Sequence, residues 1–133
     1  IRELEINSGY PSSSLKERIY SSKVNKMAGI LIYTAVADVA GSLGGLAESV
    51  SPEKMAVTLV NALNRANWCS LDPVCSEHEG QGPGWLNKAA CHSCSLLPET
   101  SCTYSNVLLD RTLIKGNDDL NIISLSDFLQ EFK

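Results

Sequence analysis

The spacing of apolar positions changes character along this chain, and each change predicts an element. Residues 1 to 14 open on a short apolar–polar alternation around Leu4 and Ile6 and run into the turn cluster Gly9 to Ser14. Ser14 is placed as a helix cap, and Leu15 to Ser21 predicts at most a short helix. From Gly29 to Ala35 the apolar run is unbroken, β-branched and aromatic, which predicts a strand buried on both faces at the centre of a small sheet. Ser51-Pro52-Glu53 then marks a helix start, because serine caps, proline fits the first helical position and glutamate favours the positive end of the helix dipole. That helix should run to about Asn67. Met55, Ala56, Leu59, Leu63 and Ala66 share one face of it, and this face is expected to pack against the strand Ile30 to Thr34.

Beyond the helix the pattern loosens. Ser76 to Gly84 is a polar loop with three glycines and a proline that needs an external tie to hold it. Asn106 to Ile114 is apolar with one charged pair and suits a buried strand or helix. Ser124 with Asp127 resembles a capping box for a last helix bearing Leu125, Phe128, Leu129 and Phe132. The resulting expectation is an α+β fold: a small sheet with a central buried strand, packed helices and a cysteine-rich loop region, all within one domain spanning residues 1–133.

The glycine-rich segment Gly41 to Leu46 sits between the strand and the helix, where backbone N–H groups can cradle a phosphate. Leu46-Ala47-Glu48 stands where a phosphate-binding lysine and hydroxyl would be needed, so close backbone packing is the simpler reading.

Four of the five cysteines carry the chemistry. Cys91 and Cys94 form a two-residue-spaced knuckle that can grip one metal ion, and Cys75 and Cys102 can add single thiolates from either side to complete a tetrahedron, for which zinc is the expected occupant. Cys69, His78 and His92 compete for a ligand position; Cys75 is preferred because the Asp72-Pro73 turn presents it inward. The alternatives are disulfides or buried free thiols, and an odd number of cysteines at low density argues against a secreted disulfide scaffold.

Composition narrows the function classes. With 44% hydrophobic and 20% charged residues the chain reads as an ordinary globular domain, and the longest apolar run, Ala28 to Ala37, falls short of a bilayer span. No basic-then-apolar leader precedes the first element, so a cytoplasmic protein with no membrane partner is expected. The chain begins at Ile1 and is expected to be a C-terminal fragment of a larger protein. The net charge of −4 is wrong for phosphate binding by this chain alone. Lys16, Arg18, Lys23 and Lys26 form one modest basic patch near the start, more simply a solvated face.

The blocks Gly29 to Thr34, Gly41 to Leu46, Asp72 to Cys75, Ala90 to Cys94, Pro98 to Cys102, Asn106 and Leu109 to Arg111 occur in an order that resembles the family of cysteine-rich, zinc-binding C-terminal domains of DrmB, a component of DISARM antiphage defence, and of MrfA-type DNA repair helicases. The likeness covers about residues 29 to 114. It implies a zinc-binding accessory domain in a DNA-handling protein, with Cys75, Cys91, Cys94 and Cys102 as the metal ligands and Cys69 spare. It also implies a helicase or other defence or repair protein as partner, with DNA reached through that complex, and identifies no catalytic residue.

Three functions are compatible with these residues. The leading one is a non-catalytic, zinc-stabilised module of a DNA-translocating or defence assembly. The second is a metal-dependent enzyme acting on nucleic acid, built from Asp38, His92, Glu99, Asp110 and Arg111 around the metal. Four thiolates would leave that metal no open position for water, so Glu99, Asp110 and Arg111 are better read as a buried ion pair or as hydrogen-bonding support for the thiolates. The third is a purely structural assembly domain.

Overall fold

A computed structural model describes residues 1–35, 45–49, 51–118, 121–125 and 127. Its elements run α1 (Arg2–Ser8), β1 (Leu15–Ser22), β2 (Met27–Thr34), α2 (Gly45–Glu48), α3 (Pro52–Ala66), α4 (Val74–Glu77) and α5 (Thr112–Lys115), an α+β arrangement as expected. The chain divides into two compact units, Ile1–Asn61 with Leu97–Asn106, and Ala62–Leu96 with Val107–Lys133. Asp38, Gly41 to Gly44 and Phe128 to Phe132 lie outside the described residues. No helix among the described residues is long and apolar enough to cross a membrane.

In the first unit, the N-terminal alternation folds as helix α1, not as an extended segment. Glu3 and Glu5 sit in its first turn, where the helix dipole favours them, and Gly9 closes it at φ 74°, donating its N–H to Glu5 O. The stretch expected as a short helix from Leu15 is strand β1. It pairs antiparallel with β2 from Leu15↔Thr34 to Ser22↔Met27. Its sequence, Leu-Lys-Glu-Arg-Ile-Tyr, carries no strong helical period of its own, and the partner strand supplies the hydrogen bonds that decide its conformation.

The strand expected from Gly29 to Ala35 is therefore present, but among the described residues the sheet has two strands and most of the apolar side chains of β2 are not enclosed. Ile30 is 69% exposed, and Leu31 and Tyr33 are also exposed. An unbroken apolar run predicts burial on both faces only if further strands and layers cover it. The buried core of this unit lies at the base of the hairpin instead, where Leu4, Tyr10 and Leu15 pack with Ile1, Ile32 and Leu46. Residues 97–106 fasten that base: Ser101 O accepts from Glu17 N–H at 3.3 Å, and Thr103 Oγ1 donates to Glu17 O at 2.8 Å.

Helix α3 begins as its sequence predicts, with Ser51 Oγ accepting from Lys54 N–H at 3.4 Å. Its inward face differs from the expected one. Thr58 is buried and Leu59 is 53% exposed, so the less exposed positions run Met55, Thr58, Ala62, Leu63, Ala66, and Leu59 is not buried as expected. Thr58 hides its hydroxyl by donating to Lys54 O at 2.8 Å, and it also accepts from Asn7 Nδ2 at 3.1 Å. A threonine satisfied in this way costs little to bury. Leu15→Ala, at a fully buried site, is expected to cost about 2–5 kcal/mol, whereas Leu59→Ala should stay below about 1 kcal/mol. Chemical denaturation of the two variants tests this ranking, and a larger loss at Leu59 would reverse the assigned face.

Candidate metal centre

The second unit has little ordinary apolar core. Its described buried cluster consists of Cys69, Cys75 and Cys91 with the partly buried Cys94 packed against them. All four sulfurs lie within 4.8 Å of one another.

Local structure explains how each arrives. Helix α3 ends with Asn67 N–H donating to Leu63 O, which delivers the chain to Cys69. There Asp72 folds back, its Oδ2 accepting from Cys69 N–H at 3.0 Å, and Leu71 N–H reaches Cys69 Sγ at 3.4 Å. Cys75 lies in the first turn of α4, with its N–H on Leu71 O. Cys91 and Cys94 form the expected knuckle, in which Cys94 Sγ accepts from Cys91 N–H at 3.3 Å and from Ser95 Oγ at 3.4 Å.

The geometry fits a tetrahedral ion. Sulfur–sulfur separations are 3.6 Å for Cys69 and Cys91, 3.8 Å for Cys91 and Cys94, and 4.0 Å for Cys75 and Cys94. Bonds of about 2.3 Å from a zinc ion to the corners of a regular tetrahedron give edges of about 3.8 Å. All five cysteines are free thiols, so the short separations are not disulfides.

Three of the four expected ligands are thus brought together, and the fourth sulfur of the cluster is that of Cys69, the rival, instead of Cys102. Cys102 is outside the sulfur cluster. Its Sγ accepts Asn106 N–H at 3.3 Å within a loop that Asn106 closes, since Asn106 Oδ1 accepts from Leu97 N–H and Nδ2 donates to Leu97 O. The Cys102 to Asn106 block is therefore a loop staple. His78 and His92 are also outside the cluster: His78 accepts from Gly80 N–H and packs on Trp85, and His92 is exposed. The signal for Cys69 was available in Cys69-Ser-Leu-Asp72, an aspartate turn that aims the Leu71 N–H at the sulfur.

Around the sulfurs lies a polar clamp. Arg111 is 2% exposed and makes four contacts: Nε donates to Ala89 O at 2.5 Å, Nη1 to Ala66 O at 2.9 Å, and Nη2 to Asp72 Oδ1 at 3.0 Å and to Cys75 Sγ at 3.5 Å. Lys115 Nζ reaches Asp72 Oδ2 at 2.9 Å. The anticipated ion pair and thiolate support thus both involve Arg111, but its partner is Asp72. Asp110 instead accepts from Thr112 N–H at 2.6 Å in the turn that leads into α5, and Glu99 lies exposed in the first unit. Gln81 Nε2 donates to Cys75 Sγ at 3.6 Å, and backbone pairing of Gln81 with Asn87 closes the glycine-rich loop that sequence alone left untied.

These surroundings set the acidities. Burial pushes the Cys75 thiol up to about 12, against the hydrogen bonds from Gln81 and Arg111, and burial likewise raises Cys69. Cys91 is also penalised by burial, yet the backbone N–H groups of Cys94 and Ser93 and the neighbouring thiols bring it down to about 7. Burial opposes the Asp72 charge as well, and Lys115, Arg111 and the Cys69 N–H overcome it, holding the carboxyl at about 2. Cys69 and Cys75, whose thiols burial pushes up, are the members of the cluster that most need a cation beside them to become thiolate.

Comparison with known proteins places the chain among zinc-binding domains. The profile of the MZB family, described as the MrfA Zn-binding domain, matches residues 1–95, a stretch that contains Cys69, Cys75, Cys91 and Cys94. The chain is also similar to the DISARM protein DrmB of Bacillus paralicheniformis, at 47% identity over 114 residues. That alignment covers 86% of this chain and 20% of the relative, so the chain spans about a fifth of that protein's length.

Proposed function

The chain belongs to the MrfA Zn-binding domain family, and from that premise we propose that Cys69, Cys75, Cys91 and Cys94 hold one zinc ion and that the chain is a zinc-stabilised accessory domain of a DISARM-type defence assembly. The observation that carries this reading is the four-sulfur cluster, all within 4.8 Å of one another, with three separations of 3.6, 3.8 and 4.0 Å that suit a tetrahedral ion. When bound, the zinc supplies a cross-link between three chain segments that have little apolar surface with which to hold one another. Four thiolates complete its shell, and this favours a structural role over hydrolysis, which needs an open position for water.

The likeness to the DISARM protein DrmB supports a place in a defence assembly; the further reading is a helicase or other defence or repair protein as the partner, with DNA reached through it, in the cytoplasm where thiols stay reduced. The exposed apolar side chains of the hairpin, Ile19, Ile30, Leu31 and Tyr33, support protein contact there. Charge argues that DNA is reached chiefly through the partner. The net charge is −4, and Lys16 and Arg18 on β1 with Lys23 and Lys26 in the hairpin turn make a small cationic patch that displaces few counterions.

Titrating labelled duplex DNA against the isolated chain at physiological salt tests this reading. Weak binding, lost when the four basic residues are changed to alanine, is the expected result. Submicromolar affinity for the chain alone would overturn the accessory role, and complete absence of binding would favour a domain that serves assembly only.

A further inference from the structure

The buried guanidinium of Arg111 stands where the segments carrying all four cysteines meet. Ala66 O closes α3 ahead of Cys69, Asp72 lies between Cys69 and Cys75, and Ala89 O precedes Cys91; Arg111 donates to each of them. A structural strut would be complete with those three acceptors. The fourth contact is different in kind, because Nη2 also donates to Cys75 Sγ at 3.5 Å.

We propose that Arg111 is a positioning residue of the metal centre that sets how tightly the ion is held and how much charge Cys75 Sγ donates to it. The proposal rests on the reading that the four clustered cysteines bind zinc. A dication with four thiolates keeps two negative charges in a buried site, and Arg111 brings a positive charge within hydrogen-bonding distance of one of those sulfurs. Lys115 lies nearby but is bound to Asp72 Oδ2 and Asn67 O. Asp72 in turn fixes the guanidinium plane through Oδ1, so Nη2 is shared between a carboxylate and a sulfur. A hydrogen bond to a ligating sulfur withdraws electron density from it and offsets its charge, and loss of such supporting groups commonly weakens metal binding by about 10–100-fold.

Cobalt(II) is the probe, because its bonds to sulfur give a charge-transfer band in the near ultraviolet, whereas that of zinc lies deeper, under the absorption of the protein. The full chain and the Arg111→Met and Arg111→Lys variants are loaded with cobalt, their spectra recorded, and release to a chelator measured. In Arg111→Met the band is expected to move to lower energy and the affinity to fall by about 10–100-fold, with Arg111→Lys intermediate because it restores the charge without the fork. Unchanged band and affinity in Arg111→Met, with cobalt bound, would overturn the proposal and leave the metal centre standing. A wild-type chain that takes up no cobalt would overturn the metal centre itself.

Since a variant at a fully buried arginine can fail to fold, a measurement on the unmodified chain decides independently. Loaded with cadmium-113, it should show through-hydrogen-bond coupling between the metal and the Arg111 guanidinium protons. Ordered guanidinium signals with no such coupling would overturn the proposal.

Discussion

Stripping the metal from the purified chain is expected to unfold the second unit, with loss of dispersed amide signals from residues 62–96. The described buried cluster of that unit is made of the thiols themselves, so removing the ion removes the groups' reason to be together. Structural zinc sites contribute about 10–16 kcal/mol in zinc-finger peptides at pH 7, which matches or exceeds the whole stability of a typical domain, about 5–15 kcal/mol. The zinc content should be one per chain. Cys69→Ser and Cys91→Ser should each abolish stoichiometric zinc, whereas Cys102→Ser, which alters only a loop hydrogen bond to Asn106, should retain it with a change under about 1 kcal/mol. Elemental analysis with amide spectra of the three variants checks this. Zinc retained in Cys69→Ser and lost in Cys102→Ser would restore the ligand set inferred from sequence.

Asp72→Ala is expected to be the most damaging change outside the cysteines, costing about 3–5 kcal/mol, because it leaves the Arg111 charge buried without its counter-charge. It also removes the acceptor for Lys115 Nζ and for the Cys69 N–H, and so loosens the turn that presents Cys69. Asp72→Asn keeps one acceptor and should fall between alanine and wild type. The folded carboxyl titrates at about 2, below its ordinary 3.8, so its contribution is complete above about pH 4 and is lost as the pH falls towards 2. Denaturant unfolding at pH 7 with zinc present therefore reads it in full. A loss below about 1 kcal/mol for the alanine variant would mean that the guanidinium finds other compensation.

Several elements were legible because their signals are local. The Ser51-Pro52 start of α3, the strand around Ile30 to Thr34, the Cys91 and Cys94 knuckle and the hydrogen bond between Ser124 Oγ and Asp127 N–H at 3.1 Å each depend on neighbours within a few residues. Other readings failed where a distant partner decides. Leu15 to Ser22 became a strand because β2 offers a hydrogen-bonding edge. The burial expected of Ile30 was lost because the described core covers the two-stranded ribbon only at its base, around Leu15 and Ile32.

The metal site divides in the same way. By itself the sequence determined the chemistry, a set of thiols with a two-residue knuckle and an Asp-Pro turn beside them, and hence zinc. Only the tertiary structure decided which sulfurs stand together. Spacing along the chain cannot tell Cys69 from Cys102, since each is one loop away from the rest, whereas the Asp72–Arg111 clamp, which ties Ala66, Asp72 and Ala89 together, brings Cys69 beside Cys75, Cys91 and Cys94. A charged side chain buried in an apolar run can be held only by acceptors contributed from elsewhere in the chain.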